Sequence, residues 1–381
     1  MSNFNTIYEY SKVENKKLEK YIIDTPLLHK YFKLDWNVLK TQQYCGILNY
    51  DNNQDIYLLP KIADNNDEKN LDIFIYMLMY AYDIKLENED MASCKNEKHN
   101  ILEVFIQMFA SNLFKEFKRG VYKEYITEQD NLTTLRGKYL INENLKYNHI
   151  KNKIYCEYDE FSMDNQLNQF FLYAVKTLLK YTKNKKLLKQ CELALDEAEY
   201  RTFDINNLHV HFNRLNNRFK DSFEFAILLL SKSIPLFAKD KKSFAFLFDM
   251  NMLFERFIGR LYQEIDKTTK LQNQRNFGNL QLKPDIIISN GIIDTKYKKV
   301  KNRDDLSPLD KYQMFVYGTN YNMENTMLLY PKDICDFEDN LKLGENDKMV
   351  NLKIKTIDLN CDNCSYEEYI SEIKKRLEIL K

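Results

Sequence analysis

Glycine is scarce in this chain: 8 residues in 381, beside 6 prolines and 1 tryptophan. No G-x-x-x-x-G-K-[ST] run occurs, so any nucleotide hydrolysis that serves this chain belongs to another subunit. Net charge is lacking too, with Lys+Arg and Asp+Glu at 56 each. A surface for a polyanion must therefore come from local segregation of charge, not from a global excess. Long apolar runs are missing, since the longest, Ile73–Tyr82 and Phe225–Leu230, are far too short to span a bilayer. The seven cysteines (45, 94, 156, 191, 335, 361, 364) are odd in number and scattered, and no signal-peptide pattern precedes them. That combination points to reduced thiols in a cytoplasmic protein. The length suffices for two or three domains with substantial cores.

What is present divides into three regions. Residues 1–130 read as mixed α+β. Ile47 to Ile62 reads as short strands around D-N-N-Q, and Leu71 to Ile84 as a buried helix. Ile101 to Tyr125 reads as a further helix, with Leu102, Phe105, Ile106, Phe109 and Leu113 at i, i+3, i+4 spacing. Nothing here has catalytic spacing, so a binding or scaffolding role is the default. Residues 131–240 form a connecting region that is expected to pack with the C-terminal region, 241–381. L-R-G-K-Y-L-I (135–141) and K-I-Y-C-E-Y-D-E-F (153–161) are strand-like, and Ser162-x-x-Asn165 leads into a helix from Gln166 to Leu179.

Several features along the chain have bland readings that outweigh sharper ones. Lys180 to Lys189 carries five lysines in ten residues; it could track a phosphate backbone, but such runs are more often solvated. Arg214 and Arg218 are i, i+4 neighbours on a predicted helix. His209-x-His211 could offer two metal ligands, yet no cysteine pair stands near. Cys361-x-x-Cys364 has no second pair at zinc spacing, so two thiols in a loop are expected.

The third region, 241–381, is organised around Lys283–Lys301, K-P-D-I-I-I-S-N-G-I-I-D-T-K-Y-K-K-V-K. Asn290-Gly291 between β-branched runs is a strong signal for a hairpin with a type I′ turn. With that turn, Ser289 pairs with Ile292, Ile287 with Asp294, and Asp285 with Lys296. Asp285, Asp294 and Lys296 then share a face with Ile287 and Ile292. Ile286, Ile288, Ile293 and Thr295 take the other, which is the expected core side. Carboxylates on two diagonal neighbours whose backbones lie about 7–8 Å apart can share one hard cation, with an ammonium beside it. Pro-Asp, eight residues, then Asp-Thr-Lys matches the PD-(D/E)xK phosphodiesterase pattern.

The flanks strengthen that reading. From Phe244 the chain reads F-A-F-L-F-D-M-N-M-L-F-E-R-F-I-G-R-L-Y-Q-E-I, a strongly apolar helix. Glu255 borders its buried face and needs a partner there. After the hairpin, Ser307-Pro308-Leu309-Asp310 has helix-start chemistry, and the helix D-K-Y-Q-M-F-V-Y-G ends near Gly318. Gln313 and Tyr317 share its face, placed to hold a DNA phosphate or to orient Lys296.

In order along the chain, Y-L-L-P-K-I, I-Y-M-L-M-Y-A-Y, L-R-G-K, C-E-Y-D-E-F-S-x-D-N, F-D-M-N-x-L-F-E, the P-D…D-T-K hairpin and D-K-Y-Q-M-F-V-Y together resemble the McrC family, the nuclease subunit of McrBC-type modification-dependent restriction systems. The resemblance implies an α/β protein. A mixed α+β N-terminal domain (1–130) would dock on a hexameric GTP-hydrolysing AAA+ partner of the McrB type. A restriction-endonuclease-like domain with helical additions would follow. It also implies Mg²⁺, with Mn²⁺ as a substitute, and double-stranded DNA as substrate. Two copies acting together would be needed for double-strand cleavage.

By position, Asp285 and Asp294 match the metal-binding acids, aided by the backbone carbonyl of Thr295. Lys296 matches the catalytic lysine, and Glu255 the helical acid, which would bind the metal through water or directly. Gln313 and Tyr317 also resemble the Gln-x-x-x-Tyr helix of RecB-type nucleases. The iron–sulfur cysteines of some RecB relatives are not reproduced, and no cluster is expected. Two other readings stand beside this one. The first is a stand-alone RecB-type repair nuclease; the second is a non-catalytic activator of the AAA+ motor.

Overall fold

The structure, a computed structural model, describes residues 5–36, 38–50, 54–63, 66–83, 101–149, 152–205, 207–238, 241–332, 336–345, 349–362 and 364–380. The chain forms two compact units. One combines residues 1–85 with 232–381, and the other spans 86–231. These limits do not coincide with the boundaries expected at 130 and 240. The N-terminal residues and residues 232–381 belong to one unit, and the second unit is an insertion within it.

The first unit begins with β1 (Asn5–Tyr8), α1 (Lys16–Ile23), β2 (Phe32–Asp35), β3 (Val38–Thr41), β4 (Tyr44–Tyr50), β5 (Gln54–Leu59) and α2 (Asp67–Ala81). Asn15 caps α1 by accepting the N–H groups of Lys17 and Leu18, and Leu18 and Ile22, one turn apart, are buried. α2 is the expected buried helix, capped by Asn66. β4 and β5 form the expected hairpin.

The second unit carries α3 (Ile101–Lys118), β6 (Glu124–Leu132), β7 (Lys138–Tyr139), α4 (Ile141–Tyr147), β8 (Ile154–Ser162), α5 (Gln166–Leu178), α6 (Lys186–Ala194) and α7 (Lys220–Lys232). α3 stops at Lys118, short of the expected Tyr125, because Tyr125 already lies in β6. Of the stretch 135–141 only two residues are strand. Asn165 caps α5 as expected, accepting from the Asn168 N–H. Arg214 and Arg218 do not share a helix: Arg214 is in a turn, and Arg218 lies in a single 3₁₀ turn. Its guanidinium donates to the Glu116 carbonyl at 2.9 Å. The lysines of the 180–189 run are exposed, as are His209 and His211.

The chain then returns to the first unit with β9 (Ser233–Ala238), β10 (Lys241–Asp249) and α8 (Met250–Ile265). The expected single helix from Phe244 is wrong in its first turn and a half. F-A-F-L-F-D is a strand, paired antiparallel to β4 from Phe244↔Asn49 to Asp249↔Tyr44. Ala245, Phe246, Leu247 and Phe248 are all buried, so both faces of the strand are apolar and no alternation marks it. Asp249 is the hinge, accepting the Asn251 N–H as the N-cap of α8. β9 and β10 complete a five-stranded sheet in the order β1-β5-β4-β10-β9.

The remaining elements are β11 (Lys270–Leu271), β12 (Arg275–Phe277), β13 (Leu280–Leu282), β14 (Ile286–Ile288), β15 (Gly291–Thr295), α9 (Pro308–Tyr321), β16 (Asn325–Pro331), β17 (Asp339–Leu343), β18 (Val350–Ile357) and α10 (Tyr366–Leu380). A second sheet runs β11-β14-β15-β16-β18-β17. Its centre, β15, β16 and β18, is parallel, and α9 is the crossover between β15 and β16. Helices α2, α8 and α10 pack on one another, α2 also against β5, α8 against β15 and α10 against β18. α9 covers β15, β16 and β18 through a core of Ile287, Ile292, Met314, Tyr317, Leu328 and Leu352.

α9 starts at Pro308 as expected but runs past Gly318 to a left-handed Asn322. Gly318 is there for closeness: a Cβ would stand 2.7 Å from the Val350 side chain. Cys45, Cys156 and Cys191 are free and buried. Cys361 and Cys364 are joined in a disulfide, contrary to the two thiols expected. Cys94 and Cys335 lie outside the described residues. Among the described residues, no helix is long and apolar enough to cross a membrane.

Candidate active site

The expected hairpin forms, with its register displaced by two residues. Ile288 pairs with Gly291, Ile287 with Ile292 and Ile286 with Ile293. The turn is therefore Ser289-Asn290, and neither residue has positive φ, so it is not the type I′ turn that Asn-Gly suggested. Gly291 opens β15 and serves a different need. A Cβ on it would lie 2.7 Å from the carbonyl oxygen of Asn325 on β16.

A two-residue slip keeps every side chain on its face, so Asp294 and Lys296 still share one. It changes who faces whom. One step beyond the ladder, Asp285 is level with Asp294, and Lys296 is not across from Asp285. Both faces of β15 are buried, not only the one with Ile293 and Thr295.

Asp294 is fully buried and lies 2.5 Å from the Lys296 ammonium. Its Oδ1 is buried without a hydrogen-bond partner. Burial first, then the charge of Asp285, push the Asp294 carboxyl upward, and Lys296 only partly offsets them. Burial pulls Lys296 downward, but Asp294 and Asp285 outweigh it and the net shift is up. Asp285 is half-buried, and its Oδ2 accepts the Thr295 N–H at 2.8 Å and the Thr295 hydroxyl at 2.9 Å. Its carboxylate thus reaches a residue that alternation assigned to the other face.

Glu255, on α8, completes the acidic group. Burial and then the charge of Asp285 raise its pKa, while Gln272, Lys283 and Lys296 oppose the rise. Its Oε1 accepts from the Gln272 side chain at 2.5 Å.

Gln313 and Tyr317 are brought together, but not onto Lys296. Gln313 Nε2 donates to the Tyr317 hydroxyl at 2.8 Å, and that hydroxyl donates to the Lys283 carbonyl at 3.1 Å. They hold the segment between β13 and β14 that delivers Asp285. Burial raises the Tyr317 phenol, and Asp294 and Asp285 add to the rise.

Two participants were not anticipated. Gln272, at φ 44°, bonds the Glu255 carboxylate and donates its backbone N–H to the Asp285 carbonyl at 2.8 Å; no sequence signal marks it. Asp310 pairs with Lys298 at 2.6 Å and adds negative charge near Asp294. Its place in the first turn of a helix had explained it fully.

Two carboxylates at one strand end, one with an orphaned buried oxygen, suit a hard cation. Among the described residues, no three His, Cys, Asp or Glu side chains converge closely enough to hold a metal alone. The donor set therefore fits a cation held by Asp285 and Asp294 with water or backbone completing it, and Glu255 at one remove.

The chain matches, over residues 39–331, the model of the family described as McrBC 5-methylcytosine restriction system component. It belongs to that family. The fold is similar to a solved half-complex from a tetradecameric assembly of Thermococcus gammatolerans McrB AAA+ hexamers with bound McrC. The TM-score is 0.64 at 23% identity, over 99% of each chain. A cryo-EM structure of the Thermococcus gammatolerans McrBC complex is also similar, with a TM-score of 0.51 and 27% identity over 68% of this chain and 87% of that one. No curated protein matches it. As a McrBC-family α/β chain, it is a restriction-system subunit.

Proposed function

We propose that this McrBC-family chain is the nuclease subunit of its restriction system, a PD-(D/E)xK enzyme that hydrolyses phosphodiester bonds of modified DNA with Mg²⁺. The observation that carries the reading is Asp294: a fully buried carboxylate with an unpartnered oxygen, set beside Asp285 and a lysine two residues on. A dry acid of this kind is a poor structural element and a good cation ligand.

In this reading Asp285 and Asp294 hold the metal with the Thr295 carbonyl, and Glu255 acts through water. When bound, Mg²⁺ supplies a Lewis acid that polarises the phosphate and makes water more acidic. Lys296 stays protonated at neutral pH, since the neighbouring acids raise its pKa. Its ammonium then orients the attacking water and offsets the charge that grows on the phosphate oxygens. Gln313 and Tyr317 keep the Lys283–Asp285 segment in place.

The partner is a McrB-like AAA+ GTPase. A solved relative of the same fold is seen bound to McrB AAA+ hexamers, and residues 1–130 of this chain remain the proposed docking region. The partner supplies nucleotide hydrolysis and reads the modified base; two nuclease copies act on the two strands.

The test is cleavage of methylated and unmethylated plasmid with Mg²⁺, with and without the AAA+ partner and GTP, using wild type and Asp294→Ala. Cutting that needs partner, GTP and Asp294 supports the proposal. Cutting by the chain alone would point to a repair nuclease. Stimulated GTPase with no cutting under any condition would leave an activator.

A further inference from the structure

Glu9 is a buried carboxylate that the cutting chemistry leaves unused. It directly follows β1, and its backbone N–H donates to the Leu59 carbonyl at 3.0 Å, extending the ladder with β5. Its Oε1 accepts the Tyr297 hydroxyl at 2.9 Å and the Lys61 N–H at 3.0 Å. Its Oε2 is buried without a hydrogen-bond partner. Removal from water is unfavourable for such a group, and burial pushes its pKa up to about 7. An apolar pair would fill the same space without that penalty. What an apolar pair would not supply is a directional bond to Tyr297.

Tyr297 is the residue after Lys296. It is buried, and its ring meets that of Phe254, next to Glu255 on α8, at 5.8 Å. The Lys296 N–H donates to the Leu329 carbonyl of β16 at 3.0 Å. The backbone that carries the Lys296 ammonium is thus held twice: by β16 through the ladder, and by the first sheet through the Tyr297 hydroxyl. We infer that Glu9 is a positioning residue for Lys296, acting through Tyr297 and tying the N-terminal sheet to the cutting site. This rests on the reading of Lys296 as catalytic.

The experiment measures single-turnover cleavage by the complex with its AAA+ partner and GTP, beside DNA affinity and the thermal midpoint of each variant. Tyr297→Phe keeps the ring and removes only the hydroxyl. It and Glu9→Leu are expected to slow cleavage by about 10-fold or more, the scale of a displaced catalytic group, with DNA affinity unchanged. Glu9→Gln retains an oxygen that accepts the Tyr297 hydroxyl and is expected to cut close to the wild-type rate. The Tyr297→Phe/Glu9→Leu double variant should be no slower than the slower single variant.

Wild-type cleavage by Tyr297→Phe overturns the inference, as does a rate that merely follows the thermal midpoint across all variants, Glu9→Gln included. If wild type does not cut at all, the reading of the site has failed, and amide hydrogen exchange decides the positioning claim separately. Faster exchange confined to residues 294–298 in Tyr297→Phe supports it; unchanged exchange there overturns it.

Discussion

Each unit has a sheet on which a lysine meets an acid, and the two pairs mean different things. In the second unit, Lys138 and Glu157 face each other across β7 and β8 at 3.3 Å, with side chains 72% and 26% exposed. In the first unit, Lys296 and Asp294 stand two apart at the end of β15 at 2.5 Å, with 28% and 1% exposed. Water already stabilises the charges of the β7–β8 pair, so the contact adds little. Asp294 has no such alternative, and its charge is tolerated only where something else is gained. The same residue types are a surface detail in one sheet and a candidate reaction centre in the other, and burial alone separates them.

The contrast can be broken at four points, in falling order of effect. Asp294→Ala should lower cleavage by the partnered complex by at least about 10³-fold, while GTPase stimulation stays intact; plasmid cutting beside GTP turnover measures both. Full cutting by that variant would return the pair on β15 to the status of the one on β8.

Glu9 is the other dry carboxylate. Burial raises Glu9 from 4.5 to about 7. Between those values the folded state keeps a proton that the unfolded state has released. Wild-type stability should therefore fall, relative to Glu9→Gln, as pH rises through that window, by an amount on the order of 3 kcal/mol. Urea unfolding on either side of the window would show this; equal slopes for the two proteins would mean that Glu9 is not dry.

Third, Gly291→Ala should destabilise the first unit by about 1–3 kcal/mol, because the new methyl meets the Asn325 carbonyl between two paired strands. Denaturant midpoints measure it. Last, Lys138→Ala should leave the thermal midpoint where it was, and a clear drop would show that the exposed pair contributes more than its setting allows.

Much of the first unit was legible because its sequence signals are local. A dense apolar run from Leu71, Ser307-Pro308 before another, and two Ile-rich runs joined by Ser-Asn-Gly specify α2, α9 and the β14–β15 hairpin without reference to distant residues, although α2 opens at Asp67, four residues before the apolar run. F-A-F-L-F-D was misread because a strand buried on both faces has no alternation to distinguish it from a helix. The Asn290-Gly291 turn was misplaced by one residue, and the strand register with it by two, for a related reason. Asn-Gly is a hairpin signal, but Gly291 was needed for the approach of Asn325, far along the chain on β16. Gln272 and Glu9 were not visible at all, since their roles depend on partners in other elements.

By itself, the sequence determined which residue types stand at fixed spacing: an acid after Pro284, an acid and a lysine at 294 and 296, and an amphipathic helix carrying Glu255. Spacing on one strand is a covalent fact, so the pairing of Asp294 with Lys296 on one face followed directly. Only the tertiary structure decided how dry that face is, which acid stands level with which, and what holds Lys296 from behind. Those depend on β16 and α9 closing around β15, and on Glu9 reaching Tyr297 from the end of the first strand, and the energy of a charge depends on the water such packing removes.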